Sequence, residues 1–471
     1  MHNIEQIFIN GEFVTPHGTE RFDLYNPATA RVIGQVRLAD EVDGERAIAA
    51  AKAAFPAWSQ TSKAERIAAL KRMHAAVVAR HDELLEAVIE EYGAPASRSA
   101  WMASYPAEVI AQAIAALEAF EFTSAAGAAT VQMVPLGVSG LITPWNSDAG
   151  FICGKLAVAL AAGCTAVIKP SEMSALQTRV ITEALADAAL PPGVFNIVTG
   201  RGDRVGETLS RHPDVAKISF TGSTTTGKAI LRNAAESFKR VTLELGGKSP
   251  TILLEDVDLT NAIPLVVQAG FMNSGQACVA GTRILVPQSR KAEIETALAD
   301  AVAAVTSGDP RDNATEIGPM VSEKQWQRVQ SYIRKGIHEG ARLLAGGEGR
   351  PEGTQDGWFV RPTLFADVNN QMAIARDEIF GPVLCVIPYR DEAEAVAIAN
   401  DTDYGLSAMV LGGDVARAHR VAQQIVSGRV LVNTLAHEPK APFGGFKHSG
   451  VGREMGEWGI RAFMEPRSVV G

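Results

Sequence analysis

Between Asp40 and about Ala119, apolar positions recur every three or four residues, as in Ile67, Leu70, Met73 and Val77, with Pro56, Gly93 and Pro95 as punctuation. This spacing predicts scaffold helices. From Gly137 the pattern changes to short, uninterrupted apolar runs at Val138–Ile142, Ala166–Ile168, Phe195–Val198 and Ile218–Phe220, alternating with helical stretches such as Leu176–Ala188. Strands that are apolar on both faces belong in a buried parallel sheet, so a dinucleotide-type α/β lobe is expected. Beyond Gly247 a second series begins, with helices near Leu259–Met272 and Lys324–Glu339 and strands near Arg283–Val286 and Val383–Pro388. It predicts a second α/β lobe of similar size, with the seam near Gly246 and Gly247. Ala128–Val134, ahead of Pro135, reads as an extended segment that projects and pairs with another subunit. The most apolar stretch, Leu156–Ile168, is closed by Lys155 and Lys169 and falls short of the ~20 residues that cross a bilayer. A buried helix running into a buried strand is predicted there.

Composition narrows the choice of partners. The 471 residues exceed by about threefold the usual length of one domain, and 46% hydrophobic with 21% charged residues is a globular balance. A net charge of −9 argues against a nucleic-acid groove or an anionic membrane surface, leaving small molecules as the expected ligands. Cys153, Cys164, Cys278 and Cys385 are scattered without a CxxC pair, so no metal site or disulfide framework is expected. The run Ile7–Ile9 is too brief for a secretory signal, and a reducing cytoplasm fits the cysteines.

Several local patterns carry chemistry. Gly222–Ala229 (GSTTTGKA) follows a strand and opens a helix, as a phosphate-binding loop does, but Ala229 occupies the place of the Ser or Thr that would hold magnesium. A P-loop hydrolase is therefore disfavoured, while the free N–H groups of the turn still suit a phosphate. Cys278 lies among Gly275, Ala277, Ala280 and Gly281, small neighbours that give a thiolate access; a buried structural cysteine is the plainer alternative. Glu244 ends an alternating strand before Gly246 and Gly247, where a carboxylate borders a cleft as a general base or is simply solvated. Asn146 in TPWN reads as a cap or as a donor to an oxyanion. Lys169 and Glu172 in KPSE follow a strand at its carboxyl end, the edge where doubly wound sheets bind nucleotides.

Taken together, TPWN (Thr143–Asn146), KPSE (Lys169–Glu172), FTGS (Phe220–Ser223), ELGGKSP (Glu244–Pro250), GQAC (Gly275–Cys278), EIFGPV (Glu378–Val383) and PFGGFKHSGVGRE (Pro442–Glu454) resemble the aldehyde dehydrogenase superfamily over essentially the whole chain. The resemblance implies a Rossmann-type dinucleotide-binding domain (1–118 and 136–246), an α/β catalytic domain (247–449) and a small β oligomerisation segment (119–135 and 450–471) that builds a homo-dimer or homo-tetramer. It implies oxidation of a small-molecule aldehyde with NAD through a Cys278 thiohemiacetal, an oxyanion held by Asn146, a thioester hydrolysed by Glu244-activated water, and Lys155 near the active site assisting proton transfer. Cofactor contacts would come from Thr143, Trp145, Lys169, Ser171, Glu172, Phe220, Gly222, Ser223, Gly227, Leu245, Gly246, Glu378 and Phe380.

Glu172 at the ribose 2′ position favours NAD, with NADP also accommodated in some relatives. Glu244 argues against the branch that passes the acyl group to coenzyme A. The departure from the family pattern follows Asn146. Ser147, Gly150 and Gly154 are small where large side chains commonly narrow the aldehyde tunnel, Phe151 is a further substrate-binding candidate beside them, and Asp148 adds a carboxylate, so a wider, more polar entrance is expected, with His437 and Phe443 facing it.

Overall fold

The computed structural model describes residues 1–354 and 356–471. Its helical start follows from capping as much as from periodicity. Asp40 and Asp43 close a capping box on Glu41–Ser59, and Ser62 and Glu65 close another on Lys63–Ala79, so each helix has a fixed first turn. The helix Ala96–Ala119 then lies along Asp148–Ala162, whose residues Leu156, Ala157, Ala159 and Leu160 are wholly buried. Gly163, at φ 93°, ends that second helix and lets the chain turn at once into the strand Thr165–Lys169.

The first sheet has eight strands in the order Gly450–Val451, Arg240–Glu244, Val215–Thr221, Val138–Ile142, Thr165–Lys169, Phe195–Ile197, Ile7–Ile9, Glu12–Val14. The five central strands are parallel, and the flanking ones antiparallel. Chain order runs outward in both directions from Val138–Ile142, so that strand and its neighbour Val215–Thr221 flank the switch point at which doubly wound sheets open a ligand crevice. The second sheet has seven strands, in the order Arg342–Ala345, Thr363–Ala366, Val383–Tyr389, Arg283–Pro287, Pro250–Leu253, Ser407–Leu411, Arg429–Val432, all parallel except the first. The chain leaves one sheet at Glu244 and enters the other at Pro250, so the two cores meet at the residues expected to react.

A third, antiparallel sheet joins Thr123–Ala126, Ala129–Pro135 and Met464–Val470. The bridging segment expected at 450–471 is narrower than that range. Gly450–Val451 pairs with Leu243 and Glu244 in the first sheet, and Gly456–Arg461 packs on the helices Ala96–Ala119 and Asp148–Ala162. The glycine-rich approach to Gly450 allows this, since a Cβ at 450 would lie 2.1 Å from the Leu243 carbonyl.

Candidate active site

Cys278 is half-buried, whereas the other three cysteines are fully buried. Its position is set by an unusual turn: Asn273, Ser274 and Gly275 take left-handed conformations at φ 55°, 58° and 74° in succession. Non-glycine residues there store strain of about 1–3 kcal/mol each unless their surroundings over-determine them. Here the surroundings do so. The Gln276 side chain donates to Tyr92 Oη and the Pro319 carbonyl and accepts from the Val321 N–H, while its own carbonyl accepts from Asn146 Nδ2 (3.0 Å) and Asn273 Nδ2 (3.2 Å). Asn273 Nδ2 also donates to the Asn146 carbonyl at 3.1 Å. The Asn146 amide is thereby tied two residues ahead of the sulfur, with its second N–H uncommitted. Burial pushes the Cys278 thiol up to about 12, helped by Glu378 and Glu244 and opposed by Arg429 and the thiol's own backbone N–H.

Glu244 is the last residue of its strand and is buried, yet neither carboxylate oxygen has a hydrogen-bond partner among the described residues. Burial holds its pKa well above the carboxylate range, Glu454 adds to the rise, and Lys155 and Arg453 oppose it. Two close approaches bring it to the sulfur's side of the molecule. A Cβ on Gly247 would lie 2.3 Å from the Cys278 carbonyl, and a Cβ on Gly444 would lie 2.8 Å from Glu244 Oε1. Only glycine permits both.

Lys155 is buried and donates to Glu454 Oε1 at 2.5 Å and Ser219 Oγ at 3.0 Å; Ser219 in turn donates to the same Glu454 oxygen. Glu454, absent from the expected site although it closes the quoted PFGGFKHSGVGRE block, also bridges Phe443 through paired backbone hydrogen bonds. Lys217, likewise unforeseen, continues this polar face of the sheet by donating to Thr242, and burial lowers its pKa to about 7.

The expected cofactor residues from Thr143 to Gly246 gather at the carboxyl ends of adjacent strands of the first sheet, and Glu378 and Phe380 lie just ahead of the strand Val383–Tyr389 of the second. Gly222 and Gly227 leave room for neighbouring side chains: a Cβ would meet Phe220 Cζ at 2.4 Å and Leu245 Cδ2 at 2.7 Å. Ser223 caps Thr224–Ala235, accepting from the Thr226 N–H at 3.2 Å. Ser171 caps the short turn at Glu172, and Lys169 sits 3.5 Å from Glu172. Arg201, which the motifs did not reveal, binds the other Glu172 oxygen at 3.2 Å and is itself held by Glu20. Glu378 accepts from the Gly247 N–H at 3.0 Å and would contact any Cβ at Gly246 at 2.5 Å; burial lifts its pKa to about 7. Phe380, at φ 63°, meets Trp145 edge-on at 5.4 Å. Thr143 differs from its expected part in one respect: its hydroxyl donates to Asp148 Oδ1 at 2.7 Å, so it is no free donor to a cofactor.

The entrance departs from expectation. Asp148 is fully buried and accepts from Thr143 Oγ1 and, at 2.8 Å, from Thr178 Oγ1, so it adds no polarity to a tunnel. Gly150 and Gly154 do not widen one either. A Cβ at Gly150 would lie 2.5 Å from the Tyr105 ring and 3.2 Å from Ser147 Oγ, and one at Gly154 would touch Val109 at 3.6 Å. Tyr105 and Val109 come from the facing helix, so bulk missing from one helix is supplied by its neighbour. Tyr105 stacks on Trp101 (4.4 Å), over which Arg98 lies at 3.9 Å. Ser147 is buried and Phe151 half-buried at the start of that helix, Phe443 is half-buried, and His437 sits on an exposed loop where partial burial and Arg429 lower its pKa.

The comparisons agree with this arrangement. The model of the aldehyde dehydrogenase family matches residues 13–469. A 3-succinoylsemialdehyde-pyridine dehydrogenase of a Pseudomonas species is 44% identical over 100% of this chain and 99% of its own length. Aldehyde dehydrogenase C of Pseudomonas syringae, solved as a cysteine-to-alanine variant with NAD+ and octanal, superposes with a TM-score of 0.97 at 44% identity, covering 99% of this chain and 96% of that one. A Mycobacterium tuberculosis aldehyde dehydrogenase solved with NAD+ gives 0.96 at 41% identity, covering 99% and 98%. With a half-open thiol, an orphaned buried carboxyl and a tethered amide drawn together between two sheets, and with these relatives matched end to end, the chain belongs to the aldehyde dehydrogenase family.

Proposed function

We propose that the chain oxidises an aldehyde to its carboxylic acid with NAD+, using Cys278 as nucleophile and Glu244 as the base that hydrolyses the acyl-enzyme. The observation that carries this reading is the Glu244 carboxyl: buried, raised in pKa and without a hydrogen-bond partner, it keeps both oxygens for a water molecule. A carboxylate used only for structure would be satisfied.

The residues present suit a dinucleotide. The crevice at the switch point, the N–H groups at the start of Thr224–Ala235, the close approaches at Gly222 and Gly227, and the Lys169–Glu172 pair would hold its adenosine and pyrophosphate parts; Glu378 and Phe380 would hold the nicotinamide end. Relatives solved with NAD+ support that choice. Bound NAD+ supplies the acceptor for the hydride released from the aldehyde carbon.

The remaining steps belong to the chain. Cys278 gives its proton to Glu244, from which it leaves through the Lys155–Ser219–Glu454 cluster, and attacks the carbonyl; the developing oxyanion is met by the free Asn146 N–H and the Cys278 backbone N–H. The sulfur then carries the acyl group as a thioester. Glu244 takes a proton from water as the water attacks, and the Lys155–Ser219–Glu454 cluster beside it provides a route by which that proton leaves. Because hydrolysis needs only water, coenzyme A is not required. Arg201 and Lys169 partly neutralise Glu172, so the discrimination against a 2′-phosphate rests on a carboxylate already paired, and NADP is accepted more weakly than NAD.

No helix among the described residues is long and apolar enough to cross a membrane. Four free thiols support a cytoplasmic setting. The sheet built from Thr123–Ala126, Ala129–Pro135 and Met464–Val470 shows mostly exposed or half-buried faces, as a homo-oligomer contact would before assembly. The test is an aldehyde panel with NAD+, following reduced-cofactor absorbance with and without coenzyme A. Turnover without coenzyme A is expected, and a strict need for it would overturn the hydrolytic reading.

A further inference from the structure

We propose that Gln325 is a positioning residue of hydride transfer: residues 318–328 brace two strained turns at once, and the Gln325 end of that brace fixes the turn 378–381, and with it the nicotinamide end of the cofactor, relative to Cys278. The proposal rests on the NAD-linked oxidation described above and gives a part in it to a residue that touches no reacting atom.

The two turns share a strain and a contact. Asn273 and Ser274 ahead of Cys278, and Phe380 after Glu378, hold φ between 55° and 63°. A side chain of this size takes that left-handed conformation only where its surroundings impose it. The turns meet backbone to backbone, since a Cβ on Gly275 would lie 2.2 Å from the Gly381 carbonyl carbon. The Phe380 ring in turn meets Trp145, the residue before Asn146.

One stretch of chain holds both. The Gly318 N–H donates to Ser274 Oγ at 3.0 Å, and the Pro319 carbonyl and the Val321 N–H take up the Gln276 side chain. A few residues on, Gln325 Nε2 donates to the carbonyls of Ile379 (3.1 Å) and Phe380 (2.7 Å), and Arg328 donates to those of Glu378 and Ile379. Both lie on the helix Glu323–His338, where Ser322 Oγ caps the Gln325 N–H at 3.3 Å. Tyr332 of the same helix donates its hydroxyl to Asp377 Oδ2 at 3.0 Å, and a Cβ on Gly381 would lie 2.4 Å from Val329. Every residue from Asp377 to Gly381 is therefore set by a single helix.

The two glutamines divide the task. Gln276 ties the nucleophile's turn to residues 319–321, whereas Gln325 reaches only the other turn. Without Gln325 the Phe380 carbonyl has no hydrogen-bond partner among the described residues, at the point where the backbone is most strained. That turn carries both Glu378 and Phe380. A shift of less than an ångström there alters the gap the hydride crosses and leaves Cys278 and Glu244 in place.

The test uses Gln325→Met, which keeps the side chain's bulk and loses its donor, and Gln325→Lys, which keeps a donor. Calorimetry on the cofactor-free protein compares NAD+ with ADP, which lacks the nicotinamide riboside. The ratio of the ADP to the NAD+ dissociation constant should fall at least about fivefold in Gln325→Met, with ADP binding itself unchanged, and recover in part in Gln325→Lys. Unchanged ADP binding also shows that the variant is folded. In rapid mixing with aldehyde the NADH burst should slow at least about tenfold, with a larger isotope effect from aldehyde deuterated at the carbonyl carbon. The rate at which acyl mass leaves the Cys278 peptide should not change, nor should alkylation of Cys278 by iodoacetamide without cofactor. An unaltered ligand ratio and burst in Gln325→Met would overturn the proposal. So would equal losses in the burst, in acyl release and in alkylation, which are the mark of a general structural role. Absence of NADH from the unaltered protein with every aldehyde would overturn the oxidation reading instead, and the ligand ratio would still decide whether Gln325 places the nicotinamide end.

Discussion

Two carboxyl groups of the first lobe are equally hidden from water and differ in everything else. Asp148 has each oxygen filled by a threonine hydroxyl, and Glu244 has both oxygens empty. Burial raises the pKa of each, Asp148 to about 7 and Glu244 well above its ordinary value, so titration does not tell them apart. Hydrogen bonding does. Asp148 is tied to the loop at Thr143 and the helix at Thr178, whereas Glu244 sits at a strand end with glycine backbone on the neighbouring loops. A satisfied buried acid organises structure, and an orphaned one is kept for chemistry.

The contrast breaks most sharply under substitution. Glu244→Gln should lower steady-state kcat by about a thousandfold, while thermal unfolding is unchanged or slightly delayed, since a buried unpartnered acid is removed. Asp148→Ala should show the opposite balance. Two buried hydroxyls lose their acceptor, costing about 1–3 kcal/mol, which denaturant unfolding would read, with a far smaller loss of kcat than in Glu244→Gln. A pH series sharpens the point. The folded protein holds the Asp148 proton up to about pH 7, whereas the unfolded chain releases it near 3.8. The folded state thus binds more protons in that window, and stability from this group falls as pH rises from about 4 to 7. Melting temperatures of the unaltered protein should therefore lose more across the window than those of Asp148→Asn. The smallest effect belongs to packing along the same helix: Gly150→Ala, forced against the Tyr105 ring, should cost about 1 kcal/mol, read as a lowered melting temperature.

Cys278, Glu244 and Asn146 could be picked out as candidates because each sits in a short block that resembles the family, and strand patterning carried the parallel sheets. What escaped depends on partners distant in sequence. Asp148 looked like a tunnel carboxylate since nothing near it announces Thr178. Gly150 and Gly154 looked like gaps because the bulk that fills them, Tyr105 and Val109, lies on another helix. Glu454 gained meaning only when the chain folded Gly444 against Glu244 and paired Phe443 with Glu454. The breadth of the C-terminal bridging segment was overread for the same reason, as Gly450–Val451 joins a strand formed some two hundred residues earlier.

The central claim is that Cys278 carries the acyl group and Glu244 removes it. Rapid mixing of Glu244→Gln with aldehyde and NAD+ tests this directly, with NADH followed by absorbance and the quenched protein examined by mass spectrometry. A burst of one NADH per active subunit, followed by near-arrest with the acyl mass on the peptide containing Cys278, is the predicted result. Continued turnover at the unaltered rate, or acyl mass absent from that peptide, would contradict it.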